Sequence, residues 1–204
     1  MLETVKDVPF LVLPGVHNPV VFRSGGFLAE AIESCIASRE DDAARTRALD
    51  LGTGSGVGAV FLARLGWRVV AVDTDPTAVR CARVNALLNG VEDRIAVRQG
   101  DLWEPVMGEQ FDIVTFNPPF FRGIPRDPSE RHWRSPDVLQ RFAAGLGGAL
   151  APGGEALVVF SSDGDEPTLL TSLAAAGFIV TPALHRDFGN EVMTAYRAVP
   201  KAPA

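Results

Sequence analysis

Apolar positions along this chain switch between two periods. From residue 47 onward, short β-branched runs alternate with longer stretches whose apolar residues recur every three to four positions, the pattern of βα units on a largely parallel sheet. Ala48–Leu51 predicts a strand, Val57–Leu65 a helix closed by Gly66, and Trp67–Asp73 a second strand ending in an acid. Asp75-Pro76 supplies an N-cap and a proline at the first helical position, so a helix runs from there to Leu88, where Asn89-Gly90 stops it. Ile95–Arg98 and Phe111–Phe116 follow as strands. Ser135-Pro136 then caps a helix carrying Val138, Leu139, Phe142, Leu146, Ala149 and Leu150 at helical spacing. After the predicted turn 151–154 come a fifth strand, Ala156–Phe160, and a helix, Asp165–Ala176, ending at Gly177. Phe178–Leu184 and Val192–Val199 close the chain as a hairpin turning near Gly189-Asn190, which makes the last strand antiparallel. Residues 1–40 read as an extended segment followed by a helix over Ser24–Ser38, and 41–204 as the α/β body of what is a single domain overall.

Composition narrows the classes. The chain has 204 residues, 47 % hydrophobic and 22 % charged, which suits one globular domain with its own core. Acids outnumber bases 25 to 19, for a formal charge of -6, so long-range electrostatics repel a polyanion and any nucleic-acid contact must be local. Cys35 and Cys81 are too few for a disulfide framework or a CxxC zinc site, which points to a reducing cytoplasm. His17, His132 and His185 show no ligand spacing, so no metal is expected. The opening residues lack a basic segment followed by a long apolar run, and no stretch approaches the roughly 18 apolar residues of a membrane helix.

The chemistry concentrates at predicted strand ends. Gly52, Gly54, Gly56 and Gly58 alternate between a strand and a helix, where glycine permits a tight turn and lets a ligand reach the amides of a helix N-terminus. A hydride-transfer fingerprint opening at Gly52 fails at Val57, and by itself the turn does not distinguish one nucleotide-like cofactor from another. Asp73 ends the next strand about 20 residues after the turn, where a carboxylate can accept both hydroxyls of a ribose. Asp101, in Gly-Asp-Leu102, can accept an exocyclic amino group while the following amide meets a ring nitrogen. Asn117-Pro-Pro-Phe120 lies directly after the fourth strand. Two prolines fix the backbone and donate no hydrogen bond, so the Asn117 side chain and the Pro118 carbonyl can accept from one planar NH2 group lying on Phe120.

Together these residues resemble class I S-adenosylmethionine-dependent methyltransferases of the methyltransferase small domain group, over about residues 20–199. That group includes glutamine-N5 methyltransferases of release factors and enzymes that methylate exocyclic amines of adenine or guanine. The resemblance implies a Rossmann-like seven-stranded sheet with helices on both faces and S-adenosylmethionine as cofactor. It implies that Asp50, Gly52, Thr53, Gly54 and Gly56 surround the methionine end, that Asp73 and Thr74 lie at the ribose, and that Asp101 and Leu102 meet the adenine. Asn117, beside the cofactor, and Pro118 orient the acceptor nitrogen and Phe120 stacks on it. The chain departs from the release-factor enzymes in its short lead-in, in Phe120 where they usually carry Tyr, and in Phe22–Phe27, which lacks their acidic or threonine residues.

The only basic stretch, residues 121–134, carries Arg122, Arg126, Arg131 and Arg134 with His132 and Trp133, against Asp127 and Glu130. Phe121, Arg122, Arg126, Arg131 and Trp133 fall where the group has a substrate-facing loop. They suit a phosphate backbone, a nucleotide or an acidic protein surface, or else a solvated loop of local ion pairs. The leading expectation is a cytoplasmic N-methyltransferase whose acceptor is a protein glutamine, with a release factor as the protein considered. A nucleobase amine, a small-molecule amine, a non-catalytic cofactor-binding partner subunit and a nicotinamide dehydrogenase stand as alternatives.

Overall fold

The structure, a computed structural model, describes residues 1–36, 47–126, 130 and 133–202. The predicted extended start is a hairpin: β1 (Leu2–Val5) pairs antiparallel with β2 (Val8–Leu11), turning on Lys6 and Asp7, both at positive φ. Such a turn normally advertises itself by Asn-Gly or Asp-Gly, and Lys6-Asp7 carries no such signal. Helix α1 spans Ser24–Ile36, and the predicted extension to Ser38 lies outside the described residues, as does the boundary at 40 and 41.

The body alternates as its hydrophobic pattern requires. In chain order come β3 (Arg47–Leu51), α2 (Val57–Arg64), β4 (Arg68–Asp73), α3 (Pro76–Leu88), β5 (Ile95–Gln99) and β6 (Phe111–Phe116). A two-residue parallel pair follows, β7 (Phe121–Arg122) with β8 (Arg134–Ser135), then α4 (Val138–Ala149), β9 (Leu150–Ser161), α5 (Glu166–Ala175), β10 (Phe178–Asp187) and β11 (Val192–Pro200). The Asp75 carboxylate accepts from Thr77 N at 2.8 Å, capping α3 where expected. At α4 the N-cap position is Asp137, which makes no side-chain cap bond; the predicted Ser135 lies two residues earlier, and its hydroxyl accepts from Val138 N at 3.2 Å. The predicted turn at 151–154 is instead part of β9, and the ladder to β6 shifts register between Phe111 and Ile113 to absorb it.

Seven strands form the sheet in the order β10-β11-β9-β6-β3-β4-β5, with β11 antiparallel to both neighbours. Alternation divides the core. On β3, Ala48 faces the layer built with α1 and α2, while Leu49 and Leu51 face the layer built with α4 and α5. On β9, Leu157 and Val159 join the first layer, and Ala156, Val158 and Phe160 the second. The N-terminal hairpin belongs to the first layer: Phe10 is fully buried and stacks on Phe61 at 6.3 Å. Asn85 of α3, also fully buried, donates to Leu11 O and Ser55 O and accepts from Leu11 N, tying the hairpin to the glycine turn. Among the described residues no helix is long and apolar enough to cross a membrane.

Candidate active site

The C-terminal ends of β3, β4 and β6 open into one cavity of about 810 Å³, within the roughly 300–1,000 Å³ of ligand sites and at the edge where open α/β sheets bind ligands. Strand direction alone therefore brings Asp50, Gly52, Thr53, Gly54, Asp73, Thr74, Asp101, Leu102, Asn117, Pro118 and Phe120 to its walls. Gly56 is not among the lining residues, though its left-handed φ of 86° starts α2.

The glycine turn is braced by two carboxylates. Asp50 is buried; its carboxylate accepts from Thr53 Oγ1 at 2.6 Å, Ala59 N at 3.0 Å and Thr115 Oγ1 at 2.8 Å. Burial outweighs these bonds and raises its pKa from the ordinary 3.8 to about 6. A Cβ on Gly58 would stand 2.4 Å from Asp50 Oδ1, so only glycine lets α2 start this close to β3. Asp73 accepts from Gly54 N at 2.8 Å and from Asp75 N at 3.0 Å.

Gly-Asp-Leu follows β5. Leu102 is buried with φ of 46°, which turns the chain back toward the cavity wall. Asp101 is engaged by Arg141 of α4, which also lines the cavity, and this bond with the neighbouring acids raises the Arg141 pKa. Arg141 carried no local sequence signal.

The Asn117 amide is anchored: Nδ2 donates to Ser24 Oγ at 3.0 Å, leaving Oδ1 as the amide atom for the cavity. Pro118 is buried and Phe120 half-buried, its ring 5.1 Å from Phe160. Behind the motif, Asp165 N donates to Phe120 O at 2.9 Å, and a Cβ on Gly164 would meet that oxygen at 2.6 Å. The backbone of the motif is thus pinned from both sides.

Beyond Asn117 the wall becomes aromatic. His17 lies 4.7 Å from Phe22 and 5.5 Å from Trp133, and Phe22 meets Trp133 edge-on at 4.4 Å. All three line the cavity, with Phe121, Arg134, Asp163 and Glu191 nearby. Of the predicted loop residues, Phe121 and Trp133 face the cavity. Arg122 and Arg126 do not line it, and Arg131, with His132 and Asp127, lies outside the described residues. On β7 alternation turns Phe121 inward and so Arg122 outward. Arg126 and Arg134 both pair with Glu130, whose carboxyl they hold down at about 2. Among the described residues of the basic stretch, Arg126 and Arg134 thus share one carboxylate. His17, Phe22 and Ser24, which the sequence reading did not select, enter the site from the segment leading into α1.

Comparison with known proteins agrees with this geometry. Residues 20–180 match the family described as the methyltransferase small domain. The ribosomal protein L11 methyltransferase of Pelotomaculum thermopropionicum is 42 % identical over 132 residues, 64 % of this chain and 37 % of that protein. The release factor glutamine methyltransferase of Xylella fastidiosa is 30 % identical over 165 residues, 73 % of this chain and 58 % of that protein. The chain thus spans about a third to three fifths of these relatives. Among solved structures, the 16S rRNA N2 G1207 methyltransferase of T. thermophilus, in complex with AdoMet and guanosine, shares the fold with a TM-score of 0.71 at 22 % identity, over 98 % of this chain and 50 % of that one. The chain belongs to the methyltransferase small domain family.

Proposed function

We propose that the cavity binds S-adenosylmethionine and that the chain methylates a planar amide or amine nitrogen, a protein glutamine side chain first among them. The observation that carries this reading is the Asn117 amide, anchored through its nitrogen on Ser24 so that its oxygen serves as acceptor beside the Pro118 carbonyl. The cofactor's activated sulfonium methyl group supplies the electrophile. Gly52, Thr53, Gly54 and Asp50 form the methionine end, Asp73 and Thr74 the ribose end, and Asp101 with Leu102 the adenine end. The open face of the glycine turn fits such a ligand, because the turn already presents its backbone to the cavity.

The protein's own task is alignment and desolvation. Asn117 Oδ1 and Pro118 O each accept one hydrogen bond from the acceptor NH2, directing its nitrogen toward the methyl group. These bonds strengthen as positive charge develops on nitrogen, so they favour the transition state over the bound ground state. Phe120 supplies the apolar face under the acceptor plane and keeps water from that side.

Two observations favour a polypeptide acceptor over a phosphate backbone. The charge is -6, and Arg126 and Arg134 already pair with Glu130. A nucleobase is the second reading, favoured by the His17, Phe22 and Trp133 wall, on which a flat ring can stack. A cytoplasmic setting fits both. The deciding experiment is transfer of tritiated methyl from S-adenosylmethionine into a cell lysate, followed by separate protease and nuclease digestion. Label released only by protease supports the glutamine; label released only by nuclease replaces it with a base, and no label at all refutes transfer to a cellular macromolecule.

A further inference from the structure

We propose that Ser24 is a positioning residue for the transfer: its hydroxyl sets which way the Asn117 amide faces. The proposal rests on the methyl-transfer reading of the cavity.

An asparagine amide has one accepting and one donating end, and only the oxygen can take a proton from an acceptor NH2. Little on the motif itself decides between them, since Pro118 and Pro119 have no N–H to engage the oxygen. Ser24 Oγ decides it, 3.0 Å from Asn117 Nδ2 and across 93 residues of sequence. The hydroxyl is itself held. His17 Nε2 lies 3.2 Å from Ser24 Oγ; with Nε2 as acceptor the hydroxyl hydrogen is directed to the ring and the oxygen lone pairs are left for Asn117.

The anchor cannot drift. Ser24 is 2 % exposed at the first position of α1, and its backbone N–H bonds Phe22 O. The next residue, Gly25, sits so close to Pro19 that a Cβ there would be 2.4 Å from Pro19 Cβ. His17 is fixed in turn by stacking on Phe22 and against Trp133. The acceptor wall and the amide that orients the acceptor are thus one connected unit.

The chain has five asparagines, so a spectrum of protein labelled with ¹⁵N-asparagine shows few side-chain amide pairs, and Asn117→Ala identifies the relevant one. Ser24→Ala is expected to shift the Asn117 pair and speed its solvent exchange, with Ser24→Thr restoring both. In the tritium assay on lysate, Ser24→Ala is expected to lower the initial rate about tenfold, the scale of one hydrogen bond. S-adenosylmethionine affinity, by calorimetry, stays within about twofold. In the Asn117→Ala background Ser24→Ala should cost nothing more, because the two act as a unit. Asn117 signals unmoved by Ser24→Ala, a parallel loss of cofactor affinity, or an additive double variant would each overturn the proposal. Should the wild-type chain label nothing in the lysate, the transfer reading fails, while the amide spectrum still decides whether Ser24 holds Asn117.

Discussion

The two ends of the cavity are built differently. At the cofactor end, Asp50 and Asp73 bond mainly to residues of their own glycine turn and adjoining strand ends, Thr53, Gly54, Asp75 and Ala59, within about 20 positions of one another. At the acceptor end, the contacts run between segments about a hundred residues apart: Ser24 with Asn117, and His17 and Phe22 with Trp133. The first end is largely a local motif of strand, turn and helix, to which Thr115 of β6 adds one distant bond at Asp50. The second exists only because α1 folds back over the end of β6. On the proposed function, a cofactor site is thus encoded compactly, whereas the acceptor surface is distributed, which lets it change without disturbing the turn.

The sharpest break of this comparison is Asn117→Ala. Methyl transfer should fall roughly 10²- to 10³-fold, as for loss of one oriented transition-state contact, while S-adenosylmethionine affinity is kept. Equal loss of both would show that the two ends are not separable.

Asp50→Asn tests the cofactor end through pH. Between about pH 4 and pH 6 the folded protein keeps the Asp50 proton that the unfolded chain has already released, so stability falls as pH rises through this window. Above pH 6 both states are ionised and the full cost, about 3 kcal/mol for a change from 3.8 to about 6, is present. Urea unfolding across that range should show the slope in the wild type and a flatter dependence in Asp50→Asn. An unchanged slope would assign it to other groups.

Trp133→Ala acts at the acceptor end alone. Removing the edge that packs on Phe22 and His17 should raise the acceptor KM about tenfold, in line with about 1–3 kcal/mol for an aromatic stacking partner, with no effect on cofactor binding. A rise in cofactor Kd instead would extend the shared wall to both ends.

Arg141→Gln should have the smallest effect. Its pair with Asp101 is exposed, and such pairs contribute little, so freeing the carboxylate for an adenine amino group should tighten S-adenosylmethionine by no more than about threefold. Weaker binding would mean that Arg141 itself touches the cofactor.

How much could be read in advance follows the same division. The seven strands of the central sheet, the helix cap at Asp75 and the antiparallel last strand were legible, because periodicity and capping are set by neighbours in the chain. The hairpin at Lys6-Asp7 was not, since its residues lack the usual preference for positive φ. The extension of β9 back to Leu150 was hidden behind a Pro-Gly-Gly that reads as a turn, and its pairing with β6 comes from tertiary contact. For the basic loop the sequence left a substrate clamp and local ion pairs both open; the structure shows the pairing of Arg126 and Arg134 with Glu130, and strand alternation turns Arg122 away.

By itself, then, the sequence determined the βα order, the glycine turn, the acid after each of the first strands and the Asn117 motif, all properties of residues a few positions apart whose geometry follows from backbone sterics and hydrogen bonding. Only the tertiary structure decided that the Asn117 nitrogen rests on Ser24, that Arg141 engages Asp101, and that His17, Phe22 and Trp133 line the cavity while Arg122 and Arg126 do not. Those contacts depend on where packing brings α1, α4 and the β7–β8 loop against the sheet, and burial of side chains far apart in the chain leaves no short-range signal.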